Sequence, residues 1–166
     1  MDKKNKVVLI LTAISILLAI NFHQMKRHFI YQQLAREVFT TSNVPVDQYM
    51  KGINFSKQVR IFKVKKGDMF IQYQIPSNHQ GNFYGLPDSK PDELGISEMG
   101  YNFTTKTNIL KEKRIYITLK DFDVLSSYAA PVVDDWSTPE NEKRVGGSKV
   151  QFFTTCKECF LRLITY

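Results

Sequence analysis

The chain has 166 residues, 43% of them hydrophobic and 13% aromatic, which is too apolar for a disordered tail and long enough for one domain with its own core. Its formal net charge of +7 arises from 23 Lys and Arg against 16 Asp and Glu, and 17 of the basic residues are Lys. These charges are scattered, with no aromatic RNA-binding motif, zinc-finger spacing or basic helix, so they exclude direct nucleic-acid binding in favour of a solvated surface facing anionic lipid.

Residues 1–6, MDKKNK, read as a short cytoplasmic tail. The run from Val7 to Ile20, extended by Asn21 and Phe22, is apolar, and nothing charged follows before Lys26 apart from His23. The strictly apolar part falls short of the roughly 20 residues a span prefers. No small-x-small cleavage site lies just after it, so the expectation is an uncleaved transmembrane signal-anchor over 7–25. Lys3, Lys4 and Lys6 place the N-terminus in the cytoplasm, and the late cysteine pair suits the oxidising side of a bacterial inner membrane. The protein is thus expected to be single-pass, with its C-terminal part in the periplasm.

Residues 26–56 form a juxtamembrane helical segment. Ile30, Tyr31, Leu34, Ala35 and Val38 make one stripe at helical spacing. The stripe either packs on the chain's own domain or takes up a partner's helix, and on the second reading Ile30, Tyr31, Leu34 and Val38 bind that partner. Thr40 to Asn43 end the helix, and Pro45 begins a short one over 46–51 that Gly52 closes.

Residues 57–166 change to a period of two and read as a β-rich domain. Val59 to Ile75 predict a hairpin through a turn at Lys65-Lys66-Gly67-Asp68. Ser77 to Gly95 is a long loop. Tyr101 to Leu119 predict a second hairpin turning at 111–114. Phe122 to Val133 is ambiguous between helix and strand. After a polar loop over 134–147, Lys149–Thr155 and Phe160–Tyr166 predict a last hairpin joined by Cys156-Lys157-Glu158-Cys159. The fold class is therefore α+β, mainly antiparallel β. Six or seven strands fall just short of a closed eight-stranded barrel, and an open edge invites a partner to cover it.

Few residues suggest chemistry. Cys156 and Cys159 lie between strand-like flanks, not at a helix start, and read as a disulfide stapling a turn. A metal site would need further ligands at suitable spacing, so metal and cofactor are both expected to be absent. His79, in the long loop, is a candidate pH sensor, since a histidine titrates near pH 6.5. Asp92-Glu93, Asp121/Asp123 and Asp134-Asp135 are loop carboxylates without the arrangement hydrolysis requires. No nucleophile elbow or phosphate loop occurs. The residues suggest a binding protein, not an enzyme.

The layout resembles that of small membrane-anchored bacterial co-regulators of the PsaF/MyfF type, with ToxS, TcpH and VtrC as further examples. The residues that carry the resemblance are MDKKNK, the anchor Val7–Phe22, the β-rich stretch Lys57–Tyr166 and the pair Cys156/Cys159. The resemblance implies a lipocalin-like periplasmic domain with room for a small apolar ligand. It also implies a membrane protein partner, a transmembrane transcription regulator of virulence or fimbrial genes, which the chain stabilises or tunes in response to pH or a ligand. Two alternatives share this layout: a membrane-anchored immunity protein that neutralises a toxin, and a structural subunit of a secretion or pilus machine.

Overall fold

The computed structural model describes residues 3–163 except Ser77, Phe103 and 135–142, and for 3–11 and 132–145 it describes the backbone alone. Helix α1 (Lys3–Thr41) ends as its sequence dictates. Thr41 Oγ1 donates to the carbonyls of Glu37 and Val38 at 2.9 and 3.0 Å. Asn43 turns into the left-handed region at φ 53°, and the Val44 N–H reaches the Phe39 carbonyl at 3.2 Å. Asn tolerates that conformation, and the backward bonds satisfy carbonyls the helix leaves open. Pro45 then leads into α2 (Val46–Lys51), where the Gly52 N–H bonds the Tyr49 carbonyl at 3.1 Å.

The strands are β1 (Arg60–Val64), β2 (Met69–Gln74), β3 (Phe83–Gly85), β4 (Met99–Asn102), β5 (Thr107–Leu110), β6 (Glu112–Thr118), β7 (Phe122–Tyr128), β8 (Val132–Asp134), β9 (Lys143–Val145), β10 (Val150–Phe153) and β11 (Phe160–Leu163). Seven form one sheet in the order β1-β7-β10-β3-β2-β6-β11, while β4-β5 and β8-β9 are separate two-stranded ribbons.

The sheet is a three-stranded ribbon folded over on itself. Pairing keeps one register from Arg60 opposite Ser126, through Val64 opposite Phe122 and Met69 opposite Ile117, to Gln74 opposite Glu112. Neither chain gains or loses a residue at the bend between β1 and β2. The other flank behaves alike, with Val150 opposite Tyr128, Phe153 opposite Leu125, Phe160 opposite Thr118 and Leu163 opposite Ile115. The bend is tied by hydrogen bonds from side chains and backbone. Thr118 Oγ1 donates to the Lys65 carbonyl, the Gly67 N–H to the Thr118 carbonyl at 2.9 Å, and the Lys66 N–H to Asp121 Oδ1 at 2.9 Å. Gly67, at φ 93°, supplies the left-handed step that this turn requires.

Folding the ribbon places two half-sheets face to face, with β3 bridging β10 and β2. Between them lies an aromatic core of Val64, Phe70, Tyr84, Tyr116, Val124 and Phe152, flanked by Phe62, Phe122 and Phe160. Tyr84 and Phe160 stack with centroids 4.4 Å apart. On the outer face of the first half-sheet, Leu125 and Phe153 meet Ala35 and Phe39 of α1, Met50 of α2, and Ile53. Neighbouring residues such as Phe152 and Phe153 point to opposite faces, and both are buried.

The expected class, α+β and mainly antiparallel, describes this architecture. Several expectations need correction. The lipocalin-like barrel that the resemblance implies is not formed: the sheet begins at β1 and stops at β11, open as the strand count suggests. Neither β1 and β2 nor β10 and β11 pair with one another: each couple forms the two arms of a bent strand. The second hairpin is β4-β5, and the expected turn at 111–114 lies mostly within β6. The stripe Tyr31, Leu34 and Val38 packs against the chain's own first core, leaving Ile30 49% exposed. The segment 7–25 is part of α1, and among the described residues no helix is long and apolar enough to cross a membrane. Its apolar run is short and is followed by Asn21, His23 and Gln24. The inner-membrane, single-pass topology derived from that anchor falls with it.

Candidate functional site

β2 and β3 share a single bridge, Ile71 opposite Gly85, and then part. A cavity of about 200 Å³ opens in the split, lined by Gln72, Gln74, Gly81, Tyr84, Leu94 and Gln151 among others. It adjoins two outer cavities through shared walls. One, of about 500 Å³, shares Tyr73, Gln74 and Gly81 and is lined further by His79, Tyr101 and Lys111. The other, of about 270 Å³, shares Phe83, Leu94, Ile96 and Gln151 and reaches Tyr49 and Ala130.

Gln72 bridges the split. Only 4% exposed, its Nε2 donates to the carbonyls of Gly81 and Phe83 at 2.9 and 2.8 Å. Its Oε1 accepts from the Gly81 N–H at 3.2 Å and from Gln74 Nε2 at 3.0 Å. The carboxamide replaces the ladder that β2 and β3 do not form, and all its hydrogen-bonding capacity is used. Gln151 performs a similar task at the other end, donating to the Gly52 carbonyl at 2.8 Å. The Ala130 N–H reaches the same carbonyl at 3.0 Å.

Arg114, 4% exposed, holds the loop beside the cavity. Its guanidinium donates to the carbonyls of Ile75, Pro76 and Asn78 at 3.2, 2.7 and 2.7 Å, to Gln74 Oε1 at 3.0 Å, and to Glu112. A guanidinium so fully used is a structural clamp, not an anion receptor. The Arg114 hydrogen bond is also the main reason that the Glu112 carboxyl sits below its usual range. Beneath the cavity, burial pushes the Tyr84 phenol well above the usual range, although Gln80 Nε2 donates to it at 2.7 Å and partly opposes the shift. Burial likewise pushes the Lys157 ammonium down to about 8. Its Nζ donates to the Gly81 carbonyl and lies 5.7 Å from the Tyr84 ring centre.

The site is therefore uncharged and rich in carboxamides, with an aromatic floor. Such a lining, neutral and polar above an aromatic floor, suits an uncharged polar ligand group. Among the described residues, the metal-ligating types that gather are Cys156, Glu158 and Cys159, and both sulfurs are joined to each other.

Of the residues singled out from the sequence, His79 is exposed and lines an outer cavity. Cys156 and Cys159 form a disulfide, Cα atoms 5.4 Å apart, at the bend between β10 and β11. Ile30, Tyr31, Leu34 and Val38 lie on α1, away from the cavity's lining. The glutamines, Arg114 and Lys157 were not anticipated. One signal existed: Phe70 lies on the same strand face as Gln72 and Gln74, which argues that this face is buried too.

The family model described as bacterial toxin 46, Ntox46, matches residues 31–160. That match begins where α1 starts to pack on the sheet. The chain is 35% identical over 133 residues to the NAD(P)(+) glycohydrolase toxin Tse6 of Pseudomonas aeruginosa; this covers 78% of the chain and 31% of that protein, so the chain spans about a third of its relative's length. In the structure of Tse6 in complex with Tsi6, one chain superposes with a TM-score of 0.71 at 31% identity, covering 84% of this chain and 98% of that one.

These matches overturn the resemblance to PsaF/MyfF-type co-regulators, and with it the roles in transcription regulation, virulence-gene control and fimbriae and the transmembrane regulator as partner. The similarity in layout rested on an anchor followed by a β-rich stretch with a late cysteine pair, and among the described residues no helix is long and apolar enough to serve as that anchor. Of the readings drawn from the sequence, the alternative of an immunity protein that neutralises a toxin fits better than the main one, although the relative matched in sequence is itself a toxin. The chain belongs to the bacterial toxin 46 (Ntox46) family.

Proposed function

We propose that this chain is a toxin domain that hydrolyses a nicotinamide dinucleotide and is restrained by a dedicated immunity protein. The observation that carries the reading is the 35% identity over 133 residues to an NAD(P)(+) glycohydrolase toxin. The expectation of a non-enzymatic binding protein is revised accordingly.

The reaction breaks the bond between the nicotinamide nitrogen and ribose C1′. Water forms the new bond at C1′ and releases a proton. The cationic ring leaves as neutral nicotinamide by regaining the bonding electron pair, so no acid is needed at the leaving group. What the site must do is hold the ring carboxamide, surround the electron-poor sugar and admit one water. A neutral pocket of Gln74 and Gln151 beside the Tyr84 floor suits the first two tasks. The immunity partner is supported by the superposable structure, in which Tse6 is in complex with Tsi6.

The test is to incubate the purified chain with NAD+ and with NADP+ and to quantify nicotinamide chromatographically. Release of nicotinamide and the matching ADP-ribose is expected. A folded protein that leaves both dinucleotides intact would overturn the reading.

A further inference from the structure

The Gly81 carbonyl has two donors that approach from different parts of the chain. Gln72 Nε2 reaches it from β2 at 2.9 Å, and Lys157 Nζ reaches it from the bend between β10 and β11. Lys157 lies between the two cysteines of the disulfide, in the short 3-10 turn Lys157–Cys159. The turn is anchored further by the Cys156 N–H on Thr154 Oγ1 at 3.1 Å, while the Thr154 N–H bonds the Asn82 carbonyl at 3.0 Å. The disulfide turn therefore grips residues 81–83, the wall of the cavity opposite Gln72.

We propose that Lys157 is a positioning residue of the pocket: held by the Cys156–Cys159 turn, its ammonium fixes the Gly81 carbonyl against the Gln72 carboxamide, so that dinucleotide binding depends on the charge of Lys157. The proposal rests on the reading above that a nicotinamide dinucleotide occupies this pocket. Lys157 is not itself a lining residue, so it acts through Gly81 and Gln72.

The physical case has two parts. A hydrogen bond from a charged donor is roughly twice as strong as a neutral one, so losing the proton loosens the grip on Gly81. The lysine is also kept charged at a cost. Burial lowers it to about 8, and among the described residues no carboxylate offsets that shift. The titratable groups around it are few. Tyr84, under Nζ, stays protonated because burial raises its phenol; Tyr116 packs edge-on against Tyr84 at 5.7 Å. Glu158, on the same turn, is exposed and faces Cys156 Sγ at 2.9 Å, and His79 is exposed in the loop that leads to Gly81.

The two consequences move in opposite directions with pH. The folded lysine releases its proton near pH 8, before the unfolded one near 10.4, so the folded state is relieved of its buried charge and stability rises across that window. Binding should weaken across the same window. A lysine with only a structural role would move neither binding nor KM against stability.

The experiment compares wild type, Lys157→Arg and Lys157→Met between pH 7 and 9.5. It measures KM and kcat for NAD+, the unfolding midpoint, and the NMR resonances of Gly81 and the Gln72 side-chain amide. At pH 9 neutral lysine outnumbers charged by about ten to one, so wild-type KM should rise roughly tenfold from pH 7 while kcat changes little. Lys157→Arg should hold a flat, low KM, and Lys157→Met a high KM throughout without a lower unfolding midpoint. In wild type alone, Gly81 and Gln72 should titrate together near pH 8. The same KM profile in all three proteins, or Gly81 and Gln72 resonances that do not titrate, overturns the proposal. If neither dinucleotide is hydrolysed, the proposed function fails, and the Gly81 and Gln72 titration by itself decides the role of Lys157.

Discussion

Leu94 fills the space that a side chain on Gly85 would need: a Cβ there would stand 2.5 Å from Leu94 Cδ1 and 2.9 Å from Cδ2. Gly85 is the residue at which β3 bridges β2, and Leu94 and Ile96 form one side of the cavity. The absence of a side chain at 85 therefore sets the width of the candidate site.

Gly85→Ala should push Leu94 into the cavity. Overpacking of this kind costs about 1–3 kcal/mol, read as a lower urea midpoint with an unchanged slope. Nicotinamide release should fall more than stability does. Adding Leu94→Ala should restore part of both losses, because the two residues share one space. Strictly additive effects in the double mutant would count against this account of the clash.

Gly147 carries a heavier constraint. Its φ is +65°, and a Cβ would stand 2.5 Å from the carbonyl carbon and oxygen of Ala130, which are backbone atoms. Its N–H also bonds the Asp92 carbonyl at 2.8 Å. We expect Gly147→Ala to lose about 3 kcal/mol or more, since both the conformation and the contact are unfavourable. Denaturant unfolding measures this, and a loss under about 1 kcal/mol would contradict it.

Arg114 should be the least replaceable polar side chain. Arg114→Met leaves the carbonyls of Ile75, Pro76 and Asn78 without their donor, and we expect a loss of about 3–5 kcal/mol. Arg114→Lys should recover only part, because an ammonium cannot span the same fork. The pair also makes stability depend on acid. The Glu112 carboxyl is lowered in the folded protein, first by the Arg114 hydrogen bond. Its contribution is present above the ordinary glutamate range and disappears as pH falls through the lowered value. Unfolding midpoints from pH 7 to 3 should decline less in Glu112→Gln than in wild type.

The Cys156–Cys159 disulfide closes a small loop, so chain entropy limits its stabilisation to about 2 kcal/mol. Cys156→Ser with Cys159→Ser, or reduction, should lower stability by that order. The larger effect should be on KM for the dinucleotide, through Lys157 and Gly81. Unfolding and steady-state assays with and without reductant check both. An unchanged KM in the reduced, folded protein would separate the disulfide from the pocket.

Local chemistry was legible in the sequence. The helix stop at Thr40 to Asn43, the short helix Val46–Lys51 closed by Gly52, the turn at Lys65–Asp68 and the alternation through Met69–Gln74 follow from residue preferences a few positions apart. These were enough for the α+β, mainly antiparallel class. Strand pairing was decided only in three dimensions. A period of two tells which residues share a face, but not which strand lies alongside, so a bent strand and a hairpin look the same. The half-sheet of β7 and β10 is also buried on both faces, which removes the contrast between apolar and polar sides. Gln72 illustrates the limit. On an alternating strand it reads as the solvent side, yet it is buried because Gly81 and Phe83, in what reads as a featureless loop, supply its hydrogen bonds. Burying a carboxamide is favourable only when such partners are in place, and a sequence does not state which distant backbone atoms will be there.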